Sequence, residues 1–106
     1  MTNEYLMLLD KNGYSESIVP KRFSSGCCLC GKGGDLARHE VFPGPYRQKS
    51  KRFGLWVQLC PACHTRVHGN RADAEALKQS AQRAAMYWYG WNTEEFIKEF
   101  GKNYER

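Results

Sequence analysis

Two Cys-x-x-Cys pairs, Cys27 with Cys30 and Cys60 with Cys63, stand 29 residues apart and restrict the fold more than any other feature of the chain. Zinc takes four thiolates in a closed tetrahedron, so two such pairs serve one ion only when the chain between them folds back on itself. The first pair lies in GCCLCGKGGD (26–35), a glycine-rich composition suited to a tight knuckle whose amides can face thiolate sulfurs. The second lies at a helix start, where Pro61 suits the first turn and the helix N-terminus favours an anionic cluster. Five cysteines are an odd number in a chain without an export signal, which speaks against a disulfide framework. A redox pair would follow a strand in an alternating α/β pattern, and that pattern is missing. Cys28 is left over, either an alternative to Cys27 at a less usual spacing or a small buried apolar residue.

Between the pairs, LARHEVF (36–42) and FGLWVQLC (53–60) are short and rich in β-branched and aromatic residues. PGPYRQKSKR (43–52) between them is basic and turn-forming, so the pattern predicts a hairpin with a long loop. After Cys60, His64 and His68 share one helical face and Gly69 is the stop. A second helix is expected from Asn70 as N-cap, with Leu77, Ala81, Ala84 or Ala85, and Trp88 as its apolar stripe. NTEEFIKEFGKNY restarts in capping-box register, Asn92 with Glu95, turning Phe96, Ile97 and Phe100 inward before Gly101. Residues 1–22 have no clear period and read as an arm with a short helix at Tyr5–Leu9, and residues 23–106 read as the domain. The expected class is α+β.

The chain of 106 residues carries a net charge of +5, and the excess is confined to its middle. Residues 1–20 hold one base and three acids, 21–52 eight bases and two acids, and 53–106 seven bases and six acids. A concentrated basic segment is the electrostatic footprint of a surface that meets phosphates. Arg47, Lys49, Lys51 and Arg52, with Arg38 just before the first histidine, are the candidates for phosphate contacts, and Tyr46 for stacking or a sugar contact. The competing reading is a solvated charged loop in which Tyr46 simply packs.

All three histidines, His39, His64 and His68, lie within or just after the span bracketed by the cysteines. A hairpin folded onto the helix would bring them together. Imidazoles at i and i+4 of a helix are a recurrent clamp for divalent metals, and Glu40 adds a carboxylate able to bind metal or accept a proton. An open clamp of this kind suits metal-assisted hydrolysis beside a phosphate-binding loop.

In this order, CCLC, RHEVF, YRQKSKRFGLWVQLC, CPACHTRVHG and EEFIKEFGKNY resemble the HNH endonucleases, specifically small zinc-stapled members of phage and prophage type. The resemblance spans about residues 25–104 and implies a treble-clef, ββα-metal core with additional C-terminal helices. It implies a structural Zn²⁺ on Cys27, Cys30, Cys60 and Cys63, and a second, catalytic ion (Mg²⁺, Mn²⁺ or another divalent metal) on His39, His64 and His68. Glu40 then falls where the family has its histidine base, or, one residue earlier in register, His39 is itself the base. The family's middle asparagine falls at Leu55, with Gln58 and Asn70 the nearest amides. The implied activity is hydrolysis of DNA phosphodiesters; the alternatives are a nucleic-acid-binding zinc module with weak or no cleavage and a zinc-stapled protein-interaction module. No apolar run approaches the roughly 18 residues of a membrane span, and the expected location is the cytoplasm of a bacterial or phage-infected cell.

Overall fold

The computed structural model describes residues 1–23 and 25–105. Two strands, β1 (Ala37–Glu40) and β2 (Trp56–Leu59), pair antiparallel, with Ala37 opposite Leu59 and His39 opposite Val57. Four helices accompany them: α1 (Arg47–Arg52), α2 (Pro61–Gly69), α3 (Arg71–Tyr89) and α4 (Thr93–Phe100). The architecture is therefore α+β, with a sheet of minimal size whose stability must come from what packs on it.

The segment expected as a loop between the strands is instead a 3-10 turn, Gly44–Tyr46, running into α1. RQKSKR consists mostly of good helix formers, and Ser50 ties the segment inward. Its buried hydroxyl donates to the Phe42 carbonyl (2.8 Å) and accepts from the Phe42 amide (3.1 Å). The strands are consequently shorter than the apolar runs that predict them. Val41 and Phe42 leave the ladder to enter the core, with the Val41 amide donating to Leu55 at 3.0 Å.

The core gathers Val41, Phe42, Leu55, Val57 and Leu59 from the hairpin, Cys63 and Val67 from α2, Leu77, Ala81 and Ala85 from α3, and Phe96 and Phe100 from α4. Phe96 and Phe100 stack at 5.1 Å between ring centroids, and Phe42 lies 4.8 Å from Phe100. The stripe of α3 ends on Tyr89 rather than Trp88, which is 59% exposed. The i+4 row through Ala81 and Ala85 reaches Tyr89, whose hydroxyl donates to the Phe53 carbonyl at 2.6 Å and fixes the helix rotation. Ile97 likewise lies at the margin, 37% exposed, because Phe96 and Phe100 take the inward row of α4. The caps agree with their sequence signals: Asn70 accepts from the Asp73 amide, Asn92 and Glu95 form the capping box, and α4 ends on left-handed Gly101.

Buried Gln82 locks the C-terminal segment, donating to Asn103 and accepting from the Tyr104 amide, both at 2.7 Å. The arm forms no helix at Tyr5–Leu9. The Asn3 carboxamide oxygen accepts from the Tyr5 and Met7 amides, turning the chain through a left-handed Leu6 instead. Asn3 also donates to the Arg52 carbonyl (2.9 Å), and Tyr5 accepts from the Trp91 indole (2.8 Å). The arm is thus seated on α1 and on the aromatic cluster of the domain.

Candidate metal centres

Residues 26–31 form a knuckle closed by the Cys27 amide on Lys32 O (2.9 Å) and the Gly31 amide on Cys27 O (2.8 Å). Gly26 turns through a left-handed φ of 76°, and a Cβ there would collide with the Gly31 and Lys32 carbonyls, so only glycine fits. The Cys28 amide donates to the Gln58 carbonyl at 2.8 Å, which anchors the knuckle to β2 and leads Cys28 away from its neighbours. Across the gap, Cys60 caps α2, accepting from the Cys63 amide.

The sulfurs of Cys27, Cys30, Cys60 and Cys63 all lie within 4.8 Å of one another, and Cys30 and Cys60 are 3.7 Å apart. Sulfurs bound about 2.3 Å from one tetrahedral ion would be separated by about 3.8 Å, so these four cysteines can hold a metal ion such as zinc with little adjustment. No disulfide joins them. Burial opposes ionisation of Cys27, but the backbone amides of Cys60, Cys30 and Leu29 outweigh it and bring its pKa down to about 6. The Cys63 amide lowers Cys60. Burial, then the neighbouring thiols, push Cys63 up to about 12. Thiols this close ionise together only around a cation.

One residue after Cys63, a second set of donors converges. His39 on β1 faces His64 and His68 on α2, with ring centroids 5.2 and 5.5 Å away; the two helical rings are 4.8 Å apart. One nitrogen from each ring lies within 4.8 Å of the other two. Successive helical residues diverge by about 100°, which is how Cys63 and His64 serve different clusters. His39 is 8% exposed. Burial, followed by the charges of His64 and His68, lowers its pKa to about 4, keeping a lone pair available at neutral pH.

This shift has a measurable consequence. The unfolded chain binds the proton near pH 6.5 and the folded one only near 4, so the fold loses stability as pH falls through that window and is unaffected above it. Between pH 7.5 and 5.5 the loss attributable to His39 should be about 1 kcal/mol. Urea unfolding of wild type and His39→Gln at both pH values, without added divalent ion, measures it as the pH-dependent part of their difference; an unchanged difference contradicts it.

Glu40 alternates to the other face of β1. Its carboxylate accepts from the Tyr14 hydroxyl (2.8 Å) and from Arg47 Nε (2.6 Å), and it is not part of the imidazole cluster. Burial and then this carboxylate push Tyr14 up to about 12. Leu55 is fully buried in the core. Of the nearby amides, Gln58 is exposed on β2 and Asn70 is spent as the cap of α3.

The basic candidates are mostly paired with acids from elsewhere in the chain. Arg38 bonds Asp10 (2.7 Å) and lies over the Tyr14 ring, Lys49 pairs with Glu99 (3.2 Å), and Arg52 pairs with Glu4. Lys51 sits 4.8 Å from the Tyr14 ring centroid. Tyr46 is half-buried and packs on Phe100 and against Gly101. The paired side chains are substantially solvent-exposed, where an ion pair contributes about 0–1 kcal/mol and yields easily to a competing phosphate.

One residue at the imidazole cluster carries no sequence signal. Lys78 on α3 lines a cavity of about 190 Å³ together with His39, His68, Val41, Pro43, Val67 and Ala74. The larger depression between Met7 and Trp88, about 840 Å³, includes none of the candidate ligands. Among the described residues, no helix is long and apolar enough to cross a membrane. Comparisons with protein-family models, curated proteins and solved structures find no match.

Proposed function

We propose that this chain is a metal-dependent DNA endonuclease on a treble-clef, ββα-metal core of the HNH type, acting in the cytoplasm of a bacterial or phage-infected cell. The observation that carries the proposal is the convergence of His39 from β1 with His64 and His68 from α2, adjoining a separate four-cysteine cluster. In this reading the tetrad holds a structural zinc that fastens the knuckle to the start of α2. The three imidazoles hold a second divalent ion with open positions. When bound there, a divalent ion would supply Lewis-acid neutralisation of a phosphate and its leaving oxygen.

The chain's own residues do the rest. His64 and His68, one turn apart, present two nitrogens in one direction. His39 is held neutral by burial, so it either completes the ligand set or accepts the proton of the attacking water. Glu40 as base would have to be released from Tyr14 and Arg47. Arg38, Arg47, Lys49, Lys51 and Arg52 would exchange their present partners for backbone phosphates. Three imidazoles without a carboxylate suit borderline ions such as Ni²⁺ or Zn²⁺ better than Mg²⁺, with Mn²⁺ between them.

A second reading, a nucleic-acid-binding zinc module with weak or no cleavage, draws on the engaged Glu40 and the buried Leu55. Incubating supercoiled plasmid with the protein and each divalent ion separates the two. Nicked or linear product supports the nuclease; intact plasmid under every ion, with DNA still bound, supports the binding module.

A further inference from the structure

Two of the three imidazoles, His39 and His68, line the small cavity that Lys78 also lines. Apart from His39, His68 and Lys78, the walls are aliphatic, and no carboxylate lines them. Lys78 is half-buried and takes part in none of the six ion pairs among the described residues, whereas Arg38, Arg47, Lys49 and Arg52 all do. A lysine here repels a bound cation, so it is no aid to metal binding. An open cation and an ammonium sharing one apolar-walled space select an anion that can bridge them.

We infer that Lys78, with the metal face of His39 and His68, forms a phosphate subsite in which the Lys78 ammonium takes one phosphate oxygen while another faces the ion. What selects a compact oxyanion is the lining, one ammonium and two imidazoles set among aliphatic side chains. The subsite is built by packing. Leu77 and Ala81 seat α3 on the core, and Lys78, next to Leu77, lines the cavity with His39 and His68. Its ammonium lies 5.5 Å from the Tyr104 ring, and Tyr104 is held in turn by the Gln82 side chain. This inference rests on the metal reading of the three imidazoles and adds to it a phosphate-binding residue outside the knuckle, hairpin and α2.

The test uses the full chain with its zinc tetrad loaded, and Mn²⁺ as a probe that competes poorly for thiolates. Water-proton relaxation reports Mn²⁺ binding, and titration with inorganic phosphate, then with a short DNA oligonucleotide, reports occupancy of the subsite. Lys78→Gln should keep or improve Mn²⁺ affinity while weakening phosphate by about tenfold or more, and Lys78→Arg should restore most of it. An equal loss for the oligonucleotide identifies the occupant as a backbone phosphate; a loss for inorganic phosphate alone identifies free phosphate. Unchanged phosphate affinity in Lys78→Gln overturns the subsite even if plasmid is cut. Lys78-dependent phosphate binding without cleavage under any ion leaves the subsite standing and overturns the nuclease, and failure of wild type to take any of Mn²⁺, Ni²⁺ or Zn²⁺ at the imidazoles overturns both.

Discussion

Stripping the metal from the four cysteines should unfold the domain. The tetrad joins the knuckle to the start of α2, and the described sheet between them has two strands. Binding of a structural zinc is worth about 10–16 kcal/mol at pH 7, as large as the entire stability of a typical domain, about 5–15 kcal/mol. Cys30→Ser is the informative variant because Cys30 is exposed, so its loss creates no cavity that could mimic the effect. The expected result is zinc lost to a mild chelator and a thermal transition lowered by more than about 15 °C or no longer cooperative. Circular dichroism with zinc analysis measures both. A variant that melts within a few degrees of wild type would show that the cysteines are core residues and nothing more.

His64→Ala should leave that staple intact and abolish cleavage. The side chain is half-buried at the edge of α2 and anchors no part of the core, so the melting temperature should move by only a few degrees. Losing one of three imidazoles from an open site weakens the metal and misplaces what remains, and a fall in plasmid cleavage of about a thousandfold or more is expected. His68→Ala should behave alike, since its nitrogen belongs to the same cluster. Cleavage within about tenfold of wild type in both variants, at saturating metal, would remove the imidazoles from the chemistry.

The difference between what the sequence discloses and what it conceals follows from the range of the forces. Ligand spacing, capping and helix start signals act within a few residues, which is why the cysteine pairs, Pro61, Asn70 and the Asn92–Glu95 box are legible as written. Helix α1 is not, because the basic composition of 43–52 reads as loop until Ser50 is seen gripping Phe42 across the strand end. The arm is misleading for a similar reason. Its apolar cluster fits a helix, but the Asn3 side chain offers the backbone a better local partner, and Tyr5 finds Tyr89 and Trp91 more than eighty residues away.

The site shows the same division. His64 and His68 advertise themselves by spacing, and His39 joins them through the antiparallel register that sets it opposite Val57. The adjacent Glu40 is equally conspicuous in sequence, yet strand alternation sends it to Tyr14 and Arg47. Lys78 is invisible beforehand, since its position depends on how α3 crosses α2 after the break at Asn70. The basic residues are recognisable as a group, but their acidic partners, Glu4 and Asp10 from the arm and Glu99 from α4, are remote in sequence.

The central claim is that Cys63 and His64, neighbours in the chain, serve two different metal centres, one closed and one open. Native mass spectrometry of the folded protein in excess Zn²⁺ tests this most directly, by counting ions per chain in wild type and in the His64→Ala, His68→Ala double variant. Two ions in wild type, one of them removed readily by chelator, and a single tightly held ion in the double variant are the predicted result. One ion in both proteins would contradict the claim.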